Sequence, residues 1–301
     1  MVGGDRATDG GAPPPGRRPG DPAGRARRPR PGYAPAVRRA LRALPTLIRV
    51  GLAEAVAYRA EMLVWLLSTT MPLVMLALMT AVARDAPVGR FGRADFTAYY
   101  LAALVVRLMT GAWVIWEVNF EIRQGTLAYR LLRPIHPVVA YAAENVGAMP
   151  LRLATVIPVA LGALAATGGE RLTRDPLLLA VFPVAIVGAW LITFLAMSVI
   201  GAVAFWVESS GSVFEVWLGL FGVFSGYLVP LELFPRWLAA VARFLPFRYM
   251  LAFPVEMVIG MTPRAAALRE LLVQWTFVAV LAIGARLTWR AGLRRFSAYG
   301  G

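Results

Sequence analysis

From Leu177 to Val207 the chain runs without a single charged side chain, and Met62–Ala83 adds 22 more such positions. A backbone placed in hydrocarbon must satisfy its own N–H and C=O groups, so runs of this length fold as membrane helices. Four further stretches share the character. Phe96–Trp116 is interrupted only by Arg107, and Tyr141–Thr167 carries Glu144 and Arg152 towards its start. Val213–Leu233 holds Glu215 near its beginning, and Leu271–Trp289 ends with Arg286, whose stem can reach back to the headgroups. The expectation is an all-α integral membrane protein with six transmembrane helices, the fourth tilted or bent near Pro183. Only 16% of its residues are charged, against about 25% in soluble proteins.

The flanks are different. Residues 1–35 contain eight Gly, eight Pro and seven Arg with one aromatic, Tyr33, a composition that cannot bury a core and predicts a disordered cytoplasmic tail. Residues 36–301 form the membrane domain. It opens with Leu41, Leu44, Leu47, Ile48 and Leu52 at helical spacing beside Arg38, Arg39, Arg42 and Arg49, which predicts an N-terminal helix lying in the interface. Residues 235–261 are apolar and aromatic but divided by Pro246, Pro254 and several charges. Tyr249–Met261 is too short to cross a core of about 30 Å at 1.5 Å per residue, so a pair of short re-entrant outer helices is expected before the sixth span.

Orientation follows from arginine. With the N-terminus inside, 19 arginines fall on the cytoplasmic side and 10 on the outer side, the tail contributing heavily to the first number. Six spans also keep both arginine-rich ends on one face. The net charge of +14 is accounted for by membrane ends and anionic lipid, with no need for nucleic acid.

Several chemistries are excluded by residue type. The chain has no cysteine, all 31 of its basic residues are arginine, and His136 is its only histidine. A phosphate-binding loop of the G-x-x-x-x-G-K-[ST] kind needs its lysine, and a lysine Schiff base or a multi-histidine metal centre is equally out of reach. The expectation is therefore a non-enzyme with no cofactor of its own, driven by a partner.

Between the second and third spans lies a polar excursion, residues 117–139, punctuated by Gly125, Pro134 and Pro137. Val118, Ile122 and Phe120 can face the membrane while Glu121 and Arg123 face water, Gly125 can end that helix, and Leu127, Leu131 and Leu132 make a second turn closed by Arg133-Pro134. Two short elements in an L on the inner face would make a knob for a groove on a soluble subunit. An ordinary amphipathic loop resting on headgroups is the alternative.

The run Glu121-Ile-Arg-Gln-Gly-Thr-Leu-Ala-Tyr-Arg-Leu-Leu-Arg-Pro134 resembles the cytoplasmic signature of type-2 ABC exporter permeases, the six-span membrane subunits of ATP-binding-cassette systems. Leu245-Pro-Phe-Arg-Tyr-Met-Leu-Ala-Phe-Pro254 followed by Gly260, Gln274-Trp275 and the ending from Gly292 to Gly301 are also similar to that family, so the likeness spans roughly residues 40–301. It implies a bacterial-type cell membrane, both termini cytoplasmic, and a separate ATPase subunit carrying ATP and Mg. It further implies a second permease subunit, identical or paralogous. The ATPase-coupling residues would then be Phe120, Glu121, Ile122, Arg123, Gly125, Leu127, Leu131, Arg133 and Pro134, and exchanging charge between Glu121 and Arg133 would uncouple ATP hydrolysis from transport with insertion intact.

Arg107, Glu144, Arg152 and Glu215 are the charges in or near the bilayer, where ionised groups pair or line a polar path. Arg107 with Glu144 is the pair that neighbouring spans suggest. A proton-coupled secondary transporter built on such a pair is the alternative function, although no inverted repeat is evident. Trp113, Trp116, Trp190, Trp206 and Trp217 are read as interface and packing residues, and Gly162, Gly188, Gly201, Gly219, Gly222 and Gly226 as places where helices approach closely.

Overall fold

The structure is a computed structural model that describes residues 45–46, 48–50, 52–53, 70–133, 135–167, 169–207 and 210–296. The expected tail lies outside the described residues, as do residues 62–69 of the first span and most of the interfacial helix, of which residues 45–46, 48–50 and 52–53 are helical. The described part is all-helical, with no strand beyond an isolated bridge between Val88 and Phe91.

From Met71 onwards twelve α-helices follow one another among the described residues: α1 Met71–Val82, α2 Arg93–Thr110, α3 Val114–Arg123, α4 Leu127–Leu131, α5 Pro137–Gly147, α6 Met149–Thr167, α7 Pro176–Ala202, α8 Gly211–Phe224, α9 Arg236–Arg243, α10 Phe247–Met250, α11 Ala252–Val258 and α12 Arg264–Leu293. Three helical stretches are long and apolar enough to cross a membrane, Arg93–Arg123, Pro176–Phe205 and Arg264–Leu293. A fourth is added if α5 and α6, bent by 40° at Ala148, count as one span, and α1 and α8 are shorter apolar helices. Helix is thus found at all six expected positions, while length alone supports three or four crossings. Pro183 sits inside α7 without ending it.

Helix α7 is the hub. Its second half, from Ala185 to Ala202, is almost wholly buried, with α3, α12 and the short outer helices packed around it. Gly188 and Gly201 sit where a methyl would meet Gln274 and Val118, the close approaches expected of them, whereas Gly162 and Gly219 have nothing within 4 Å to approach.

Two expectations change. Val213–Leu233 is not one helix. Helix α8 stops at Phe224, and at 1.5 Å per residue its 14 residues span about 21 Å. Beyond it the chain reverses through Gly226, whose φ of +79° lies in the left-handed region. Two tyrosines of α2 hold that reversal, the Tyr99 hydroxyl donating to Gly226 O at 2.9 Å and the Tyr100 hydroxyl to Leu228 O at 2.8 Å. Apolar character continues through 225–233, but the carbonyls of Gly226 and Leu228 accept these bonds instead of helical ones. The outer region likewise holds three short helices rather than a pair, because Leu251, at φ −142°, separates α10 from α11.

A methyl on Gly226 would lie 2.4 Å from the Tyr99 hydroxyl. Gly226→Ala is expected to cost about 2 kcal/mol or more, part backbone strain and part displacement of that tyrosine. Detergent unfolding titrations check this: pairing Gly226→Ala with Tyr99→Phe should recover only the steric part. Equal stability of Gly226→Ala and the parent would contradict the left-handed turn.

Candidate functional site

The loop between the second and third expected spans folds as an L. Helix α3 ends at Arg123, Gly125 turns the chain at φ +74°, and α4 runs from Leu127 to Leu131. Its inner side is anchored: Val118, Ile122 and Leu127 are buried in the main core with Tyr141 and Trp289. Val118 and Ile122 therefore face protein rather than lipid, and Ile122 and Leu127 support the knob instead of forming its outer surface.

An ion network braces the L from within. Arg130 Nε donates to both oxygens of Glu121, at 2.7 and 2.8 Å, and its Nη1 donates to Glu144 Oε1 at 2.7 Å. The Tyr141 hydroxyl donates to Glu121 Oε2 at 2.7 Å, and the guanidinium lies 4.2 Å from the centre of the Tyr141 ring. All three charged side chains are 16% exposed or less. Desolvation opposes the charge on Arg130, but hydrogen bonds to Glu144 and then Glu121 outweigh it and hold its pKa above the ordinary arginine value. Glu121 accordingly turns inwards, not to water as its place on the helix suggests. Arg130 and Tyr141 are absent from the residues that the sequence points to. Their only signal is Arg130 across the Gly125 turn from Glu121, and the Tyr141–Glu144 spacing on one helix face.

The next helix begins at His136, whose Nδ1 accepts from Val138 N at 3.3 Å and whose ring packs edgewise on Trp289, 6.1 Å between centres. Desolvation of the ring, then the Arg286 charge, holds its pKa below the usual histidine value, which keeps Nδ1 available as an acceptor.

What the L presents outwards is a set of apolar side chains flanked by arginines. Phe120 is 62% exposed, Tyr129 71% and Leu132 83%, with Leu131, Arg123 and Arg133 also exposed. Pro134 lies outside the described residues.

The intramembrane charges separate into different roles. The pair Arg107–Glu144 does not form, because Glu144 is held by Arg130. Arg107 instead lies over the Phe221 ring, 5.2 Å from its centre. Arg152 donates to Gly111 O and, at 3.2 Å, to Asn145 Oδ1. Gly111 is where α2 breaks before α3, so Arg152 takes up a carbonyl near the break in the helical ladder. Glu215 is exposed on α8.

A second network lies in the outer region. Arg248 donates to Glu256 at 2.6 Å and to Glu270 at 3.2 Å, Tyr249 donates to Glu270 at 2.8 Å, and Gln274 Nε2 donates to the carbonyls of Ala185 and Tyr249. Arg248, Tyr249 and Gln274 all belong to the stretches that carry the family likeness.

The family model described as ABC-2 family transporter protein matches residues 64–300. The chain belongs to the ABC-2 transporter family. No curated protein matches it. The match covers the membrane domain from near the start of the first apolar stretch through α12, and with the apolar helices it makes this a multi-pass ABC transporter permease. Membership of the ABC-2 family implies an ATPase partner.

Proposed function

We propose that the chain is the permease of an ABC exporter and that its ATPase subunit docks on the L-shaped knob of residues 118–134. The observation that carries this reading is the combination of an apolar outer surface with a rigid charged brace beneath it. Exposed Phe120, Tyr129 and Leu132 offer contact area at one end of the molecule, and Glu121, Arg130 and Glu144 tie that area to the start of the next membrane helix. A push on the knob is then delivered to α5 and α6 instead of being absorbed by a loose loop. ATP and Mg sit on the ATPase, the permease pairs with a second permease subunit, identical or paralogous, and both termini are cytoplasmic in a bacterial-type cell membrane.

The test is co-purification from native membranes of the parent and of Tyr129→Asp with Leu132→Asp. Both side chains lie outside the brace, so the variant is expected to insert and fold while losing the co-purified ATPase by about tenfold or more, as befits anchors at the centre of an interface. An ATPase retained equally by the variant moves the docking site elsewhere. No ATPase with either protein sinks the reading.

A further inference from the structure

We infer that a phospholipid binds this protein on the expected outer side, with one acyl chain in a slot between α2 and α6 and its phosphate on Arg171. The slot is a cavity of about 290 Å³ whose walls are almost wholly apolar. Ala98, Leu101, Ala102 and Val105 line it from one face of α2, at helical spacing, and the antiparallel face of α6 contributes Ala160, Leu161, Ala163 and Leu164. Alanines at facing positions leave the space that larger side chains would fill. Below it the two helices close again, where Leu104 and Leu108 pack against Val156. From Ala98 to Val105 the slot runs about 11 Å along the helix at 1.5 Å per residue, parallel to the direction in which lipid chains lie.

The open end is polar. Arg171 lines both the slot and a second cavity of about 250 Å³ bounded by Arg90, Asp95, Gly260 and Met261. These residues come from three separate segments that the topology puts on the same side. The Arg171 position is fixed by its neighbour, since Thr173 N donates to Val258 O at 2.8 Å. Arg90 is engaged by Glu232 through two nitrogens. Among the described residues Arg171 makes one ion pair, 3.2 Å from Nη1 to Asp95, and the other Asp95 oxygen accepts from Gly92 N. Its guanidinium therefore keeps donors to spare, half-exposed at headgroup level above an apolar slot, the geometry that suits a phosphate oxygen. An anion without a chain leaves the slot unused, and a chain without an anion leaves Arg171 unused.

The experiment is native mass spectrometry of delipidated protein titrated with dioleoyl-phosphatidylglycerol, with dioleoylglycerol and inorganic phosphate as separate probes. Expected for the parent is one tightly held phosphatidylglycerol, weaker dioleoylglycerol, and no competition by phosphate alone. Ala102→Leu and Ala163→Leu, which fill the slot, should each weaken that lipid about tenfold, and Arg171→Gln should do so for phosphatidylglycerol while leaving dioleoylglycerol unchanged. If one filling variant fails to fold, the other and Arg171→Gln decide. Undiminished binding in the folded filling variants overturns the slot. Equal loss of both lipids in Arg171→Gln, or displacement by phosphate alone, overturns the assignment of the headgroup. None of these outcomes depends on the ATPase docking at the knob.

Discussion

Arg130→Gln is expected to lower stability by about 3 kcal/mol and to abolish stimulation of the ATPase by the permease. The argument starts from what remains. Glu121 and Glu144, each 16% exposed or less, would face one another with their shared cation gone. Removing one member of a buried ion cluster costs about 3–5 kcal/mol because it strands the others, and partial exposure favours the lower end. The Tyr141 ring also loses the guanidinium that covers it at 4.2 Å. Adding Glu121→Gln and Glu144→Gln removes the stranded charges and should restore most of the stability. Coupling should stay impaired, since amides no longer clamp α4 to α5. A detergent unfolding titration and ATPase assays of reconstituted complexes read the two effects separately. If Arg130→Gln is as stable as the parent, the cluster behaves as a surface ion pair worth little, and the brace is no brace.

The same network changes what an exchange at Glu121 and Arg133 would test. Arg133 is exposed and outside the cluster, while Glu121 sits against Arg130. Glu121→Arg would place two guanidinium groups together in a largely buried site, so loss of function in that exchange would reflect folding. Coupling is better probed at Tyr129 and Leu132.

Apolar length and turn chemistry made much of this fold legible. Leu177–Ala202 and Leu271–Trp289 lie within α7 and α12, where the hydroxyls of Thr193, Ser198, Thr276 and Thr288 bond back to their own helix four residues earlier and leave the ladder intact. Gly125 and Pro137 punctuate the loop as their residue types require, one at positive φ and the other opening α5. Hydropathy failed where tertiary hydrogen bonds outbid helix continuation. Residues 225–233 are apolar enough for a span, but Tyr99 and Tyr100 come from more than a hundred residues away to capture their carbonyls. The break at Gly111 was hidden for the same reason, with its carbonyl answered by Arg152. At the knob, the turn at Gly125 between two short helices was legible, but the sides of those helices were not. Helical spacing alone leaves Ile122 and Leu127 free to face a partner; the packing of α3 on α7 turns Ile122 inwards, and Leu127 at the start of α4 joins the same core. Arg130 does not stand out, because one of three arginines in a polar loop looks like a solvated charge. Its two glutamates converge only once the chain turns at Gly125.

The outer region poses the sharper energetic question, because its charges are more deeply buried. Arg248→Met is expected to cost about 3–5 kcal/mol at neutral pH. Glu256 is 5% exposed, and burial already pushes its carboxyl pKa up against the pull of Arg248. Without that cation the pKa rises further above its unfolded value of about 4.3, so the folded protein binds a proton that the unfolded chain releases. Stability of the variant should therefore improve as pH falls through the raised pKa and be poorest above it. Arg248→Met with Glu256→Gln removes the ionisation and should flatten that dependence while recovering part of the loss. Glu270 keeps its bond from Tyr249 in either variant, so the start of α12 has a remaining tie to α10. Unfolding titrations across about pH 5 to 8 distinguish the causes. A deficit in Arg248→Met that does not vary with pH would mean that α10 and α11 depend on the packing of the arginine stem, not on neutralisation of Glu256.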